Sequence, residues 1–169
     1  DLVLMDVQMP GLDGLEATRA IRALPGREAD AAALFGLLRD GLRAGACWAP
    51  ALAPGALRCP GVARGRLLGG NLSLLAALCG TPWQPRAEGR LLFIEDVSES
   101  LYRVDRLLLQ LAQAGVLAAA AGFMLGSFTE AESPTALLQS LLQPLCERQR
   151  KPLLAGWPAG HGTPNRPLP

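Results

Sequence analysis

The chain has 169 residues, of which 50% are hydrophobic and 18% charged, and its formal net charge is +1. That is too apolar for a disordered chain and too neutral for a nucleic-acid-binding face, and the length allows one domain with a real core plus an appendage. Cys47, Cys59, Cys79 and Cys146 lack the close spacing of zinc ligands, and the single histidine, His161, cannot complete a His-rich site, so the thiols read as reduced and no metal is expected.

The first element is a strand of Leu2, Val3, Leu4 and Met5 that ends on a carboxylate, Asp6. Met9, Pro10 and Gly11 turn the chain toward a helix that starts near Asp13 and is broken at Pro25-Gly26. This wording, DLVLMDVQMPGLDGLEATRAIRAL, resembles the centre of a bacterial response-regulator receiver domain, with Asp6 matching the phosphoacceptor. The resemblance also implies an acidic pair before the strand and a Thr/Ser and a Lys after it. The one lysine, Lys151, belongs to a distant region. Phosphoryl transfer needs a metal and positive groups around the transferring oxygens, so Asp6 is expected to be a poor acceptor on an orphan strand.

Residues 27–57 read as a junction: a helix over Glu28–Ala44 carrying Ala32, Leu34, Phe35, Leu38 and Leu42, then irregular Pro- and Gly-rich chain that runs from Trp48 to Gly61. Val62–Leu68 reads as a half-exposed strand. Gly69-Gly70-Asn71 leads into the helix LSLLAALC, capped by Asn71 and stopped by Gly80. LLFI, Leu91–Ile94, is a strand that ends on Glu95-Asp96. A helix from Ser100 presents Val104, Leu107, Leu108 and Leu111 on one face and ends near Gly115. AGFMLG, Ala121–Gly126, is a second strand, Ser133-Pro134 opens another helix, and PLLA, Pro152–Ala155, is a third strand before a Gly- and Pro-rich tail. Leu107–Phe128 has 22 residues without a charge, but Gln110, Gln113, Gly115, Gly122 and Gly126 make it a helix end, a turn and a buried strand rather than a membrane span. Alternating strands and helices predict an α/β fold with a mostly parallel sheet and flanking helices, preceded by the orphan strand and helix.

Such sheets carry their chemistry at the carboxyl ends of the strands. Glu95 closes LLFI and His161 lies just beyond PLLA, so both belong to that edge. A carboxylate beside an imidazole is the base half of a nucleophilic triad, in which the imidazole takes a proton and the carboxylate fixes its tautomer. A lone histidine between glycines is more often an ordinary loop residue.

Four blocks go further: GRLLGGNLSLLAALCGTPWQP, LLFIEDVSESLYRVDRLLLQLAQAGVL, AGFMLGSF and PLLAGWPAGHGTPNRPLP. In order and spacing they resemble the C-terminal domain of the LD-carboxypeptidases, serine peptidases that include muramoyltetrapeptide carboxypeptidase and the microcin-immunity peptidases. The likeness covers residues 58–169 and reaches back into the Glu28 helix. It implies a Ser-Glu-His triad with Glu95 and His161 as two of its members, hydrolysis of the terminal D-alanine from muropeptide tetrapeptides in peptidoglycan recycling, no cofactor, a cytoplasmic location and a homodimer. It implies no nucleic acid and no membrane among the partners.

The same resemblance puts the nucleophilic serine on a separate N-terminal domain, and no residue here occupies that place, so the polypeptide alone is expected to be inactive. It also implies a further strand after the final PLP. Ser73 matches the GGNLS block and reads as structural. Gly69, Gly70 and Asn71 are candidates for substrate binding, because amides at a helix start can hold a carboxylate. Asp96 and Glu99 could orient groups or bind the substrate's amine but read more readily as solvated loop acids, and Arg103, Asp105 and Arg106 read as support for the site or the dimer contact, or as surface ion pairs. The alternative function is a phosphorelay protein whose output segment derives from the peptidase.

Overall fold

The apolar run LLFIEDV forms β3 (Leu91–Val97), and five of its seven residues are buried. A strand with neighbours on both edges and cover on both faces needs that nearly continuous apolarity. The structure, a computed structural model, describes residues 58–129 and 147–161, all of which belong to one compact unit, Ala49–Asn165. The sheet contains β1 (Arg58–Cys59), β2 (Leu67–Asn71), β3, β4 (Gly122–Thr129) and β5 (Leu153–Leu154) in the order β1-β5-β4-β3-β2. Every pairing is parallel except that of β1 with β5. This is the α/β, mostly parallel architecture the sequence predicts.

Asn71 starts α1 (Leu72–Leu78) in the expected way. Its side-chain oxygen accepts a 3.1 Å hydrogen bond from the Leu74 amide, and Gly80, at φ 79°, takes the left-handed conformation just beyond the helix. In α2 (Leu101–Gln113), Val104, Leu108 and Leu111 are buried at the spacing of one helical face. Gly115, also left-handed, then turns the chain into a short α3 (Val116–Ala119). These faces meet Leu72, Leu92, Ile94, Phe123, Leu125 and Leu153 in one hydrophobic core. Burying each such side chain is worth about 1.5–3 kcal/mol relative to leaving it in water.

Polar side chains fasten the helices at their ends. Gln110 Nε2 donates to the Ala76 carbonyl at 2.7 Å and Gln84 Nε2 to the Ala114 carbonyl at 3.0 Å. Lys151 donates to the carbonyls of Leu117 and Ala118 at the end of α3, where a cation complements the helix dipole, and burial pushes its amine below the ordinary lysine value.

Several boundaries differ from the sequence reading. β3 runs on to Val97, so Glu95 and Asp96 are strand residues and not its successors. Residues predicted as irregular chain supply β1, which gains partners by pairing antiparallel with β5. The predicted strand over Val62–Leu68 is confined to its end, and β2 continues through both glycines to Asn71. β4 continues past Gly126 to Thr129, and α3 was not anticipated. Cys59 is disulfide-bonded, against the reduced state expected, whereas Cys79 keeps a free thiol that burial pushes up. Leu107–Phe128 is the end of α2, α3 and most of β4, and no helix among the described residues is long and apolar enough to cross a membrane. The receiver-like residues 1–26, with Asp6, and the junction 27–57 lie outside the described residues, as does most of the helix predicted after Ser133-Pro134.

Candidate active site

Three adjacent strands converge on one point. β3 supplies Glu95, β4 supplies Ser127, and the segment that follows β5 supplies Gly160 and His161. Between β3 and β4 the register runs from Ile94 opposite Leu125 to Asp96 opposite Phe128, so Glu95 alone faces Gly126 and Ser127 together. One extra residue on one strand is a β-bulge, which bends the strand and re-aims the side chains beside it. The chain after β5 then runs along the far half of β4. The Trp157 amide donates to the Leu125 carbonyl at 3.0 Å, and the Ser127 amide donates to the Ala159 carbonyl at 2.9 Å. Buried Trp157 and Ala159 anchor this segment in the protein.

The outcome is a hydrogen bond of 2.8 Å between His161 Nδ1 and Glu95 Oε2. Glu95 retains 5% side-chain exposure and His161 51%. A carboxylate taken out of water needs a donor to compensate its lost hydration, and the imidazole provides one. With the proton on Nδ1, Nε2 is left as an acceptor on a half-exposed ring, the state required of a base that deprotonates a hydroxyl.

Gly160 is the fitting that allows this approach. At φ +114°, a Cβ there would lie 2.6 Å from Ser127 Oγ and 2.8 Å from Glu95 Oε2. Gly160→Ala is therefore expected to leave the core intact while displacing Glu95 from His161. Nitrogen-15 spectra of the single histidine would show its Nδ1 hydrogen bond lost with the far-ultraviolet circular dichroism unchanged, and an unaltered imidazole would contradict the steric argument.

The second carboxylate is not the solvated loop acid that the sequence suggested. Asp96 is 2% exposed. Its Oδ1 accepts from Asn71 Nδ2 at 2.7 Å and from the Val97 amide at 2.8 Å, and its Oδ2 accepts from the Ser73 amide at 3.1 Å and Ser73 Oγ at 2.9 Å. Ser73 Oγ also lies 3.1 Å from Glu99 Oε1, so its one proton is shared between two carboxylates. Glu99 in turn pairs with Arg103 at 2.7 Å, one turn along α2. Arg106 stacks over Tyr102, 4.8 Å from the ring centroid, and Asp105 is exposed. The hydroxyl of Ser73 thus serves the Asp96–Glu99 cluster.

Gly69 and Gly70 form the end of β2 beside β3, and Asn71 pairs with Glu95 in the register. Ser127, Gly160 and the bulge were missed from the sequence. The signal available was Gly126, since a glycine inside a strand marks a bulge or a close approach. A Cβ there would lie 2.6 Å from Phe93 Cζ and 2.5 Å from the Ala159 carbonyl oxygen.

The fold has counterparts among known proteins. A profile of the LD-carboxypeptidase C-terminal domain matches residues 64–169. A Synechocystis protein classed with the carboxypeptidases is 42% identical over 113 residues, which are 64% of this chain and 38% of the relative. The murein tetrapeptide carboxypeptidase of Pseudomonas aeruginosa is 35% identical over 108 residues, or 62% of this chain and 35% of its own length. Among solved structures, muramoyltetrapeptide carboxypeptidase from Oxalobacter formigenes aligns with a TM-score of 0.56 at 34% identity, covering 68% of this chain and 40% of that one. The microcin C7 self-immunity protein aligns at 0.55 and 27% identity, covering 70% and 34%. The chain thus spans between about a third and two fifths of the relatives it matches. These relatives lend no support to the phosphorelay alternative. With the family's profile matched over residues 64–169, 106 of 169 positions, the chain belongs to the LD-carboxypeptidases.

Proposed function

We propose that residues 58–169 form the part of a serine LD-carboxypeptidase that carries the general base and its orienting carboxylate, and that the substrate is a murein tetrapeptide from which the terminal D-alanine is removed. The observation that carries this reading is the 2.8 Å contact between His161 Nδ1 and the buried Glu95 carboxylate at the carboxyl edge of the sheet. The relatives named as murein or muramoyl tetrapeptide carboxypeptidases supply the substrate class.

In the proposed reaction His161 Nε2 takes the proton of a serine hydroxyl as that oxygen attacks the carbonyl of the scissile peptide bond. The imidazolium, stabilised by Glu95, then gives the proton to the departing amine of D-alanine, and water repeats the sequence to release the acyl group. The serine belongs to a region of the family outside the residues matched here, and the site so completed would face the Gly69-Gly70-Asn71 edge. The cytoplasm, where recycled muropeptides are processed, is the location that accompanies this reading.

A chimera provides the test. Residues 64–169 would replace the matched segment of the Pseudomonas aeruginosa enzyme, and D-alanine release from disaccharide tetrapeptide would be measured. The chimera is expected to turn over, while the 169-residue polypeptide alone releases no D-alanine above a buffer blank. A folded chimera without activity would overturn the proposal, and turnover by the polypeptide alone would show that it contains its own nucleophile.

A further inference from the structure

We infer that Asp96 is a positioning residue for the Glu95–His161 pair, acting by locking the end of β3 to the start of α1. The inference rests on the reading of that pair as base and orienter. Its basis is the saturation of one buried carboxylate: four donors, two on each oxygen, come from Asn71, Ser73 and Val97. With both oxygens engaged by donors of the protein itself, Asp96 presents no open face to a substrate. What it can do is hold three pieces of backbone in one arrangement.

Simple helix capping does not account for this. α1 already has its N-cap in Asn71, whose side-chain oxygen accepts from the Leu74 amide. The bonds to Asp96 come in addition, and they tie the cap residue and the first turn to a strand about 25 positions away in sequence. Asp96 is also the residue at which the β3–β4 register resumes after the bulge, directly beside Glu95. Fixing the Asp96 backbone fixes the peptide that carries Glu95. Asn71, held by Asp96 from one side, pairs with Glu95 on the adjacent strand from the other. The Glu95 carboxylate is thus aimed by a neighbour whose own partners are Asn71, Ser73 and Val97, a supporting arrangement in which the second rank of hydrogen bonds sets the geometry of the first.

Asparagine at position 96 tests this, because an amide cannot reproduce the four acceptances. Its NH2 group faces either Asn71 Nδ2 and the Val97 amide or the two donors of Ser73, and in both rotamers donors oppose donors. His161 is the single histidine of the chain, so its two ring nitrogens can be read without assignment in a nitrogen-15 spectrum. The unsubstituted chain, at a pH where the ring is neutral, is expected to show a protonated Nδ1 and an unprotonated, downfield Nε2. In Asp96→Asn that pattern is expected to be lost, the two nitrogens moving toward averaged positions. Ser73→Ala, which removes one donor and keeps the amide, should shift them less and in the same direction.

A folded Asp96→Asn chain with the unsubstituted imidazole pattern would overturn the inference and leave Asp96 as a fold-stabilising residue only. Should Asp96→Asn not fold, Ser73→Ala decides, and an unchanged imidazole there overturns the inference equally. Absence of the Nδ1–H form from the unsubstituted chain would instead refute the reading of Glu95 and His161, a result distinct from an imidazole that is present and indifferent to Asp96.

Discussion

Gly69→Ala is expected to destabilise the domain by about 3–5 kcal/mol, enough to lower the unfolding temperature by on the order of 10 °C or to abolish the cooperative transition. Two effects combine. Gly69 sits at φ +142°, a region that L side chains rarely adopt, and a Cβ built on it would lie 1.9 Å from the Phe93 carbonyl oxygen and 2.7 Å from the Phe93 amide nitrogen. The obstruction is backbone of the paired strand, so no rotamer change relieves it. β2 would have to move away from β3 and lose the ladder that places Asn71 beside Glu95. Gly70 is the control: its φ of +149° is as unusual, but nothing lies within 4 Å of its would-be Cβ. Gly70→Ala should therefore cost only backbone strain, about 1–3 kcal/mol. Thermal unfolding followed by circular dichroism compares the two, and equal losses would show that the close approach at Gly69 contributes nothing.

That pair of glycines illustrates what could be read from the sequence. Asn71 was legible as the start of a helix because it is a local signal: a cap bonds to an amide three residues on, and its chemistry is complete within one turn, whereas the two glycines, read as a turn, are strand residues paired with β3. The apolar run before Glu95 was legible for the same reason, since a buried parallel strand advertises itself by composition. The placement of Glu95 and His161 at one edge followed from topology alone, because both lie at the carboxyl side of strands in an alternating pattern.

Asp96 was misread because its environment is not local. A carboxylate after a strand normally meets water, and here its donors Asn71 and Ser73 come from 25 and 23 residues earlier. The bulge was invisible for a related reason. It consists of a count, one residue on β3 against two on β4, and only the paired strands together define it. β1 has two residues and exists through its pairing with β5, so neither periodicity nor composition could announce it. The family resemblance supplied what physical reading could not, namely the substrate class and the type of nucleophile that the proposed function invokes. The geometry supplied what the resemblance could not, namely the cluster around Asp96 and the steric role of Gly160.

Glu95→Gln in the active chimera is expected to reduce kcat by about 10^3–10^4-fold with little change in KM. The substitution preserves size and burial, so the loss isolates the chemistry of the carboxylate. In the native pair the acceptor is Glu95 Oε2, 2.8 Å from Nδ1, and this keeps the ring proton on Nδ1 and Nε2 free to accept. A glutamine presents an amide whose NH2 group, when it faces Nδ1, makes that nitrogen an acceptor and moves the ring proton to Nε2, where it blocks removal of the serine proton. The amide also carries no charge to stabilise the imidazolium that forms as the serine attacks. His161→Ala should be about as damaging, and the double variant little worse than either single one, because residues that act as a unit are not additive. Steady-state D-alanine release from disaccharide tetrapeptide gives both constants. A Glu95→Gln chimera within about tenfold of the parent rate would mean that Glu95 merely packs against the ring, since that interval corresponds to only about 1.4 kcal/mol of barrier.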